Sequence, residues 1–137
     1  HLEGIDISNS MLEQAKKKNV YDKLMHQDIL DYLMTADIGF DFFISTDVFT
    51  YIGDLSDVFR LLKSRNRFGG KLAFSTEHSI KDGFFLETTG RYSHSKSYIE
   101  NLCEKFDYRL SHFETIKLRK SDDQGLFITG GLYLLVF

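Results

Sequence analysis

Short apolar runs alternate with amphipathic stretches from the first residues to about position 106, and this alternation restricts the fold more than any other feature. A repeated strand–helix unit lays successive strands side by side and parallel, because each helix carries the chain back along the sheet. Residues 2–7 form the first strand-like run. Ser8-Asn9-Ser10 then offers caps for a helix over about 11–18, with Ser10 and Glu13 as a capping box and Met11, Leu12 and Ala15 on one face. Lys16-Lys17-Lys18 closes that helix, where cations complement its dipole, and Asn19 suits the exit. A second strand at 23–27 and a short helix at 30–34 follow.

Residues 41–46, Asp-Phe-Phe-Ile-Ser-Thr, read as a buried strand, a brief apolar run without a helical stripe. The next helix is the clearest. Asp54 or Ser56 caps it, and Leu55, Val58, Phe59 and Leu62 keep the i, i+3, i+4, i+7 spacing. Gly69-Gly70 stops the chain before a strand at 71–76. A helix at about 97–106 buries Ile99, Leu102, Cys103 and Phe106, which makes Cys103 a packing residue. The ending breaks the pattern. Residues 108–118 and 131–137 are both strand-like, separated by the polar turn Lys120-Ser121-Asp122-Asp123-Gln124-Gly125. No helix fits between them, so the last two strands are antiparallel neighbours. The whole is one α/β domain over residues 1–137, a mostly parallel sheet with helices on both faces.

Composition narrows the partners. Seventeen basic against twenty acidic residues give a net charge of −3, without the basic face that nucleic acid requires. Cys103 is the single cysteine, so no intrachain disulfide forms, which fits a reducing, cytoplasmic setting. No apolar run is long enough to span a bilayer, and the five histidines show no paired metal-ligand spacing.

In open α/β sheets ligands bind beyond the carboxyl ends of the strands. After the first strand stands Gly4-Ile5-Asp6-Ile7-Ser8, where Asp6 can accept from the two hydroxyls of a ribose or serve as a surface or capping carboxylate. After the second stands Gln27-Asp28-Ile29-Leu30. Asp28 can accept from an adenine amino group while the next N–H donates to a ring nitrogen, or it can cap the short helix. Adjacent parallel strands bring both acids to one edge of one crevice, with Met11 and Ile29 available to pack on a purine.

These blocks, with Phe40-Asp41-Phe42-Phe43-Ile44-Ser45-Thr46-Asp47-Val48-Phe49 and Leu61-Leu62 to Phe68-Gly69-Gly70-Lys71-Leu72, resemble class I S-adenosylmethionine (SAM)-dependent methyltransferases over nearly the whole chain. Phe68 replaces the usual proline of the fourth block. Asn19-Val20-Tyr21-Asp22-Lys23-Leu24 and Gly90-Arg91-Tyr92-Ser93-His94-Ser95 are similar to methyltransferases often fused to tetratricopeptide repeats. The resemblance implies a Rossmann-like three-layer sandwich with strand order 3-2-1-4-5-7-6, the seventh antiparallel, and SAM as cofactor. It implies that Asp6 holds the ribose, that Ile7 and Met11 flank the adenine, and that Asp28 and Ile29 recognise its edge. Ser45, Thr46 and Asp47 would follow the methionine arm.

The family's first strand and its Gly-x-Gly loop would precede Leu2, and their omission leaves a gap of two strand spacings, about 9–10 Å. A longer gene product, a closed-up sheet or a second copy of the chain would each resolve it. On the acceptor side, Tyr51, Glu77 and His94 are the catalytic candidates, with His94 the best base by residue type. Arg91 and Tyr92 are the substrate-binding candidates, His78 also lies near the pocket, and Phe84-Phe85 in a loop at 80–89 would form an apolar lid. The acceptor is a small molecule or a protein side chain. Two readings compete: a nucleotide-binding oxidoreductase, since Asp6 also suits the ribose of NAD, and a non-catalytic methyltransferase-like interaction module. The antiparallel ending and Asp28 argue against the first.

Overall fold

The computed structural model describes residues 1–35, 39–66, 69–121 and 125–137. Phe68 and three residues of the polar turn, Asp122, Asp123 and Gln124, lie outside the described residues. The chain divides into two compact units, His1–Ile38 and Gly39–Phe137.

The first unit holds β1 (Glu3–Asp6), α1 (Asn9–Lys17), β2 (Lys23–His26) and α2 (Ile29–Thr35). β1 and β2 pair in parallel, with Asp6 opposite His26. Ser8, not Ser10, caps α1, because its hydroxyl accepts from the Met11 N–H at 3.4 Å. Ser10 is already inside the helix, so the expected Ser10–Glu13 capping box does not form. The helix ends as anticipated, on Lys16 and Lys17, and Asn19 turns the chain with a positive φ of 53°.

The second unit holds β3 (Phe42–Ser45), a 3-10 turn (Phe49–Tyr51), α3 (Ser56–Arg65), β4 (Lys71–Ser79), β5 (Phe84–Leu86), β6 (Tyr92–Ser95), α4 (Lys96–Phe106), β7 (Arg109–Lys120) and β8 (Phe127–Val136). β4 is the spine. β8 runs antiparallel along one edge of it, and β7 lies antiparallel outside β8. The other edge is shared: β3 pairs in parallel with residues 71–74, and β6 pairs in parallel with residues 77–79. β5 adds an antiparallel strand to β6. The ladders β2–β1 and β3–β4–β8–β7 are the two runs of neighbours that the expected order contains on either side of its first strand.

Side chains alternate across β4, so its two faces differ. One face carries Leu72, Phe74 and Thr76. Phe74 stacks on Tyr133 of β8 with ring centroids 4.9 Å apart and meets Phe49 and Phe59 on its other sides. α3 supplies Val58, Phe59 and Leu62 to this core, and α4 supplies Ile99, Leu102 and Cys103. The Asp54 carboxylate accepts from the Ser56 N–H and the Tyr98 hydroxyl, tying the start of α3 to α4. The opposite face carries Ser75 and Glu77.

Two expectations need correction. Residues 80–89 are not a loop with a free lid: Phe84-Phe85 lies in β5, and Phe84 packs on Tyr92, His94 and Tyr98. β3 is not buried on both faces, because Phe42 is 64% and Ile44 73% exposed. Only the side bearing Phe43, whose ring meets Phe40 and Phe137, finds apolar cover.

Candidate functional site

In the first unit Asp6 closes β1 and Asp28 stands two residues past the end of β2, so both carboxylates lie at the carboxyl ends of paired parallel strands. Asp6 uses Oδ1 to accept from the Ser8 N–H at 2.7 Å, which fixes its rotamer and leaves the second oxygen for an incoming donor. The Gln27 N–H donates to the Asp6 carbonyl, linking the two turns. The His26 ring nitrogen Nε2 lies 2.7 Å from the Ile7 carbonyl and donates to it. Asp28 caps α2: its Oδ1 accepts from Leu30 and Asp31 N–H groups at 2.8 and 3.4 Å. Ile7 and Met11 are exposed apolar side chains beside these acids, and Ile29 is half-buried. Two carboxylates with exposed apolar surface beside them form an acceptor set that fits a purine nucleoside.

In the second unit the segment after β3 is built differently. The Ser45 hydroxyl is buried without a hydrogen-bond partner, a cost that a polar ligand would relieve. Thr46 is exposed. Asp47 takes a positive φ of 55°, uncommon for a residue other than glycine, and its N–H donates to the Ser75 hydroxyl at 2.9 Å. Its Oδ1 accepts from Arg119 at 2.8 Å, and the same guanidinium donates to Glu77.

This geometry corrects two catalytic candidates. Glu77 is 4% exposed and ion-paired with Arg119, so it is not a free base. His94 is fully buried. Nε2 lies 2.9 Å from the Gly53 carbonyl oxygen, which can only accept, so Nε2 donates there and Nδ1 accepts from the Thr76 hydroxyl at 2.6 Å. Burial also lowers its pKa, favouring the neutral ring. His94 is therefore an internal cross-link between β4, β6 and the segment after the 3-10 turn.

Tyr51 and Arg91 do come together. Tyr51 is exposed, and the Arg91 guanidinium sits 5.2 Å from its ring centroid. Tyr92 packs against Gly53, where an added Cβ would come within 2.8 Å of the Tyr92 ring. His78 borders a hollow of about 540 Å³ whose wall includes Lys81, Phe85 and Glu87. Sequence reasoning missed Arg119. Its partners are 72 and 42 residues away, and the bulge that aims it leaves no local mark.

Among the described residues no cluster of three or more His, Cys, Asp or Glu could hold a metal ion, and no helix is long and apolar enough to cross a membrane. The model of a methyltransferase domain family matches residues 1–130, spanning both units. Among solved structures, an S-adenosylmethionine-dependent methyltransferase from Mesorhizobium loti superposes with a TM-score of 0.71 at 18% identity, over 100% of this chain and 80% of that one. Magnesium protoporphyrin IX methyltransferase from Synechocystis PCC 6803, with bound S-adenosylhomocysteine, gives 0.67 at 18% identity, over 98% and 62%. TehB from Haemophilus influenzae gives 0.71 at 17% identity, over 97% and 48%. No curated protein sequence matches at a significant level.

Proposed function

We propose that this chain, which belongs to the methyltransferase domain family, binds S-adenosylmethionine and transfers its methyl group to a small-molecule or protein acceptor. The observation that carries this reading is the pair of carboxylates, Asp6 and Asp28, at the carboxyl ends of two adjacent parallel strands. The family match over both units supports reading residues 1–137 as one domain, and a lone buried Cys103 fits a cytoplasmic setting.

When bound, the cofactor supplies a methyl group already activated by a sulfonium; the protein contributes binding, orientation and exclusion of water. Asp6 accepts from the two ribose hydroxyls, and Ile7 and Met11 lie against the adenine. Asp28 accepts from the adenine amino group while the Ile29 N–H donates to the ring. Arg91 and Tyr92, with Tyr51 against Arg91, bind the acceptor. A base is needed only for an acceptor that is protonated at working pH, and neither Glu77 nor His94 supplies it.

Calorimetric titration of the full-length protein with S-adenosylhomocysteine tests the ribose contact. Each charge-assisted hydrogen bond contributes about 1.5–3 kcal/mol, so Asp6→Ala weakens binding at least tenfold. Unchanged affinity in that variant would sink the assignment.

A further inference from the structure

We infer that the hollow at the carboxyl end of β4 binds a small zwitterion with an apolar body, of the kind a free aromatic amino acid presents. The hollow measures about 540 Å³ and lies wholly within the second unit. Its size is that of a small-molecule site, and such sites combine apolar walls with a few placed polar groups. Phe85 and Leu86 supply apolar wall and remain 39% and 62% exposed. Lys81 and Glu87 bring opposite charges to the same hollow. Among the described residues neither has an ion-pair partner, and they do not pair with each other.

Each charge is held by its own turn. The Lys81 N–H donates to the Ser79 hydroxyl at 3.0 Å, and that hydroxyl donates to the Lys81 carbonyl at 3.1 Å. Gly83, at a φ of 107° that favours glycine, donates to the Ser95 hydroxyl at 3.0 Å and accepts from the Ser95 N–H at 2.9 Å. Asp82, the acid next to Lys81 in the chain, accepts instead from the Ser97 hydroxyl at 2.6 Å. Past β5 the Glu87 N–H donates to the Arg91 carbonyl at 2.8 Å. Glu87 Oε1 accepts from the buried Ser93 hydroxyl, which leaves Oε2 for an incoming donor. The Lys81 ammonium lies 6.0 Å from the Phe85 ring centroid, so a carboxylate seated on Lys81 brings the body of its molecule beside an aromatic face. A ligand with a single charge meets one attractive and one repulsive group here, whereas a zwitterion meets two attractive ones.

Calorimetry on the full-length protein with L-phenylalanine, phenylpropionate and phenethylamine reads the two charges separately. Phenylpropionate lacks the ammonium and phenethylamine lacks the carboxylate, so phenylalanine binds most tightly of the three. Lys81→Met weakens phenylalanine and phenylpropionate about tenfold and does not weaken phenethylamine, because one charge-assisted hydrogen bond is lost. Glu87→Gln does the converse, weakening phenylalanine and phenethylamine while sparing phenylpropionate. Both side chains belong to exposed residues, so neither variant disturbs the core. Phe85→Ala weakens all three ligands, since each presents the same ring. No saturable binding of phenylalanine, an analogue that binds as tightly as phenylalanine, or a charge variant that weakens all three ligands alike would overturn the inference.

Discussion

His94 donates to Gly53 and accepts from Thr76, so its proton-binding nitrogen faces the interior. Burial lowers its pKa, and burial lowers that of His78 as well. A histidine whose folded pKa lies below its unfolded value binds fewer protons when folded, so stability rises with pH between the two values and is full above about 6.5. Urea denaturation is therefore expected to show lower stability at pH 5.5 than at pH 7.5. His94→Gln flattens that dependence, leaving the His78 part. A difference between the two pH values that His94→Gln leaves unchanged would contradict the assignment. Burial likewise pushes the Cys103 thiol up to about 11, which makes it inert at neutral pH. The positions of Asp6 and Asp28 were legible because a carboxylate at the carboxyl end of a strand is a local feature. The state of His94 and Glu77 was not, since residue type says nothing about whether a lone pair or charge is already engaged. Arg119 was invisible for a related reason, as its meaning lies in two acids distant in sequence.

Elements defined by periodicity were legible, and those defined by pairing were not. α3 and α4 carry apolar stripes, and the β7–β8 ending announces itself by two strand-like runs with no helix between them. The β5–β6 hairpin has strands of three and four residues, too short for a pattern, and its turn closes through the Glu87 N–H on the Arg91 carbonyl. Ser95 fastens that hairpin to α4. Its hydroxyl accepts from both the Tyr98 and Gly83 N–H groups at 3.0 Å. Ser95→Ala leaves two donors unpaired and should cost about 1–2 kcal/mol, read as a lower urea midpoint. Ser8→Ala, which removes one long exposed cap bond, should cost less. A larger effect at Ser8 than at Ser95 would contradict this account of the caps. At the outer edge of the sheet, β7 bears Arg109, Lys117, Arg119 and Lys120 and two register shifts, features that discourage pairing with another chain.

Across the molecule, burial is uneven. Leu33 is the one fully buried residue of the first unit among those described, whereas the second unit encloses Phe49, Phe59, Phe74, Leu135 and Tyr133. Local opening is easiest where few apolar side chains are buried. Amide exchange is accordingly expected to be slowest in β4 and β8 and faster in β1 and β2; the reverse order would contradict the assignment of the core. Phe74→Ala, which empties the centre of the aromatic cluster, should cost about 3–5 kcal/mol. The family was legible because its blocks recur in order along the chain, and fold alone does not choose an acceptor. The central claim is that the acids at the carboxyl ends of the first two strands read an adenosine carried by a sulfur cofactor. Calorimetric titration of the full-length protein with S-adenosylhomocysteine and, separately, with NAD tests it most directly. The account predicts saturable one-to-one binding of S-adenosylhomocysteine and none of NAD; binding of NAD without S-adenosylhomocysteine, or of neither, would contradict it.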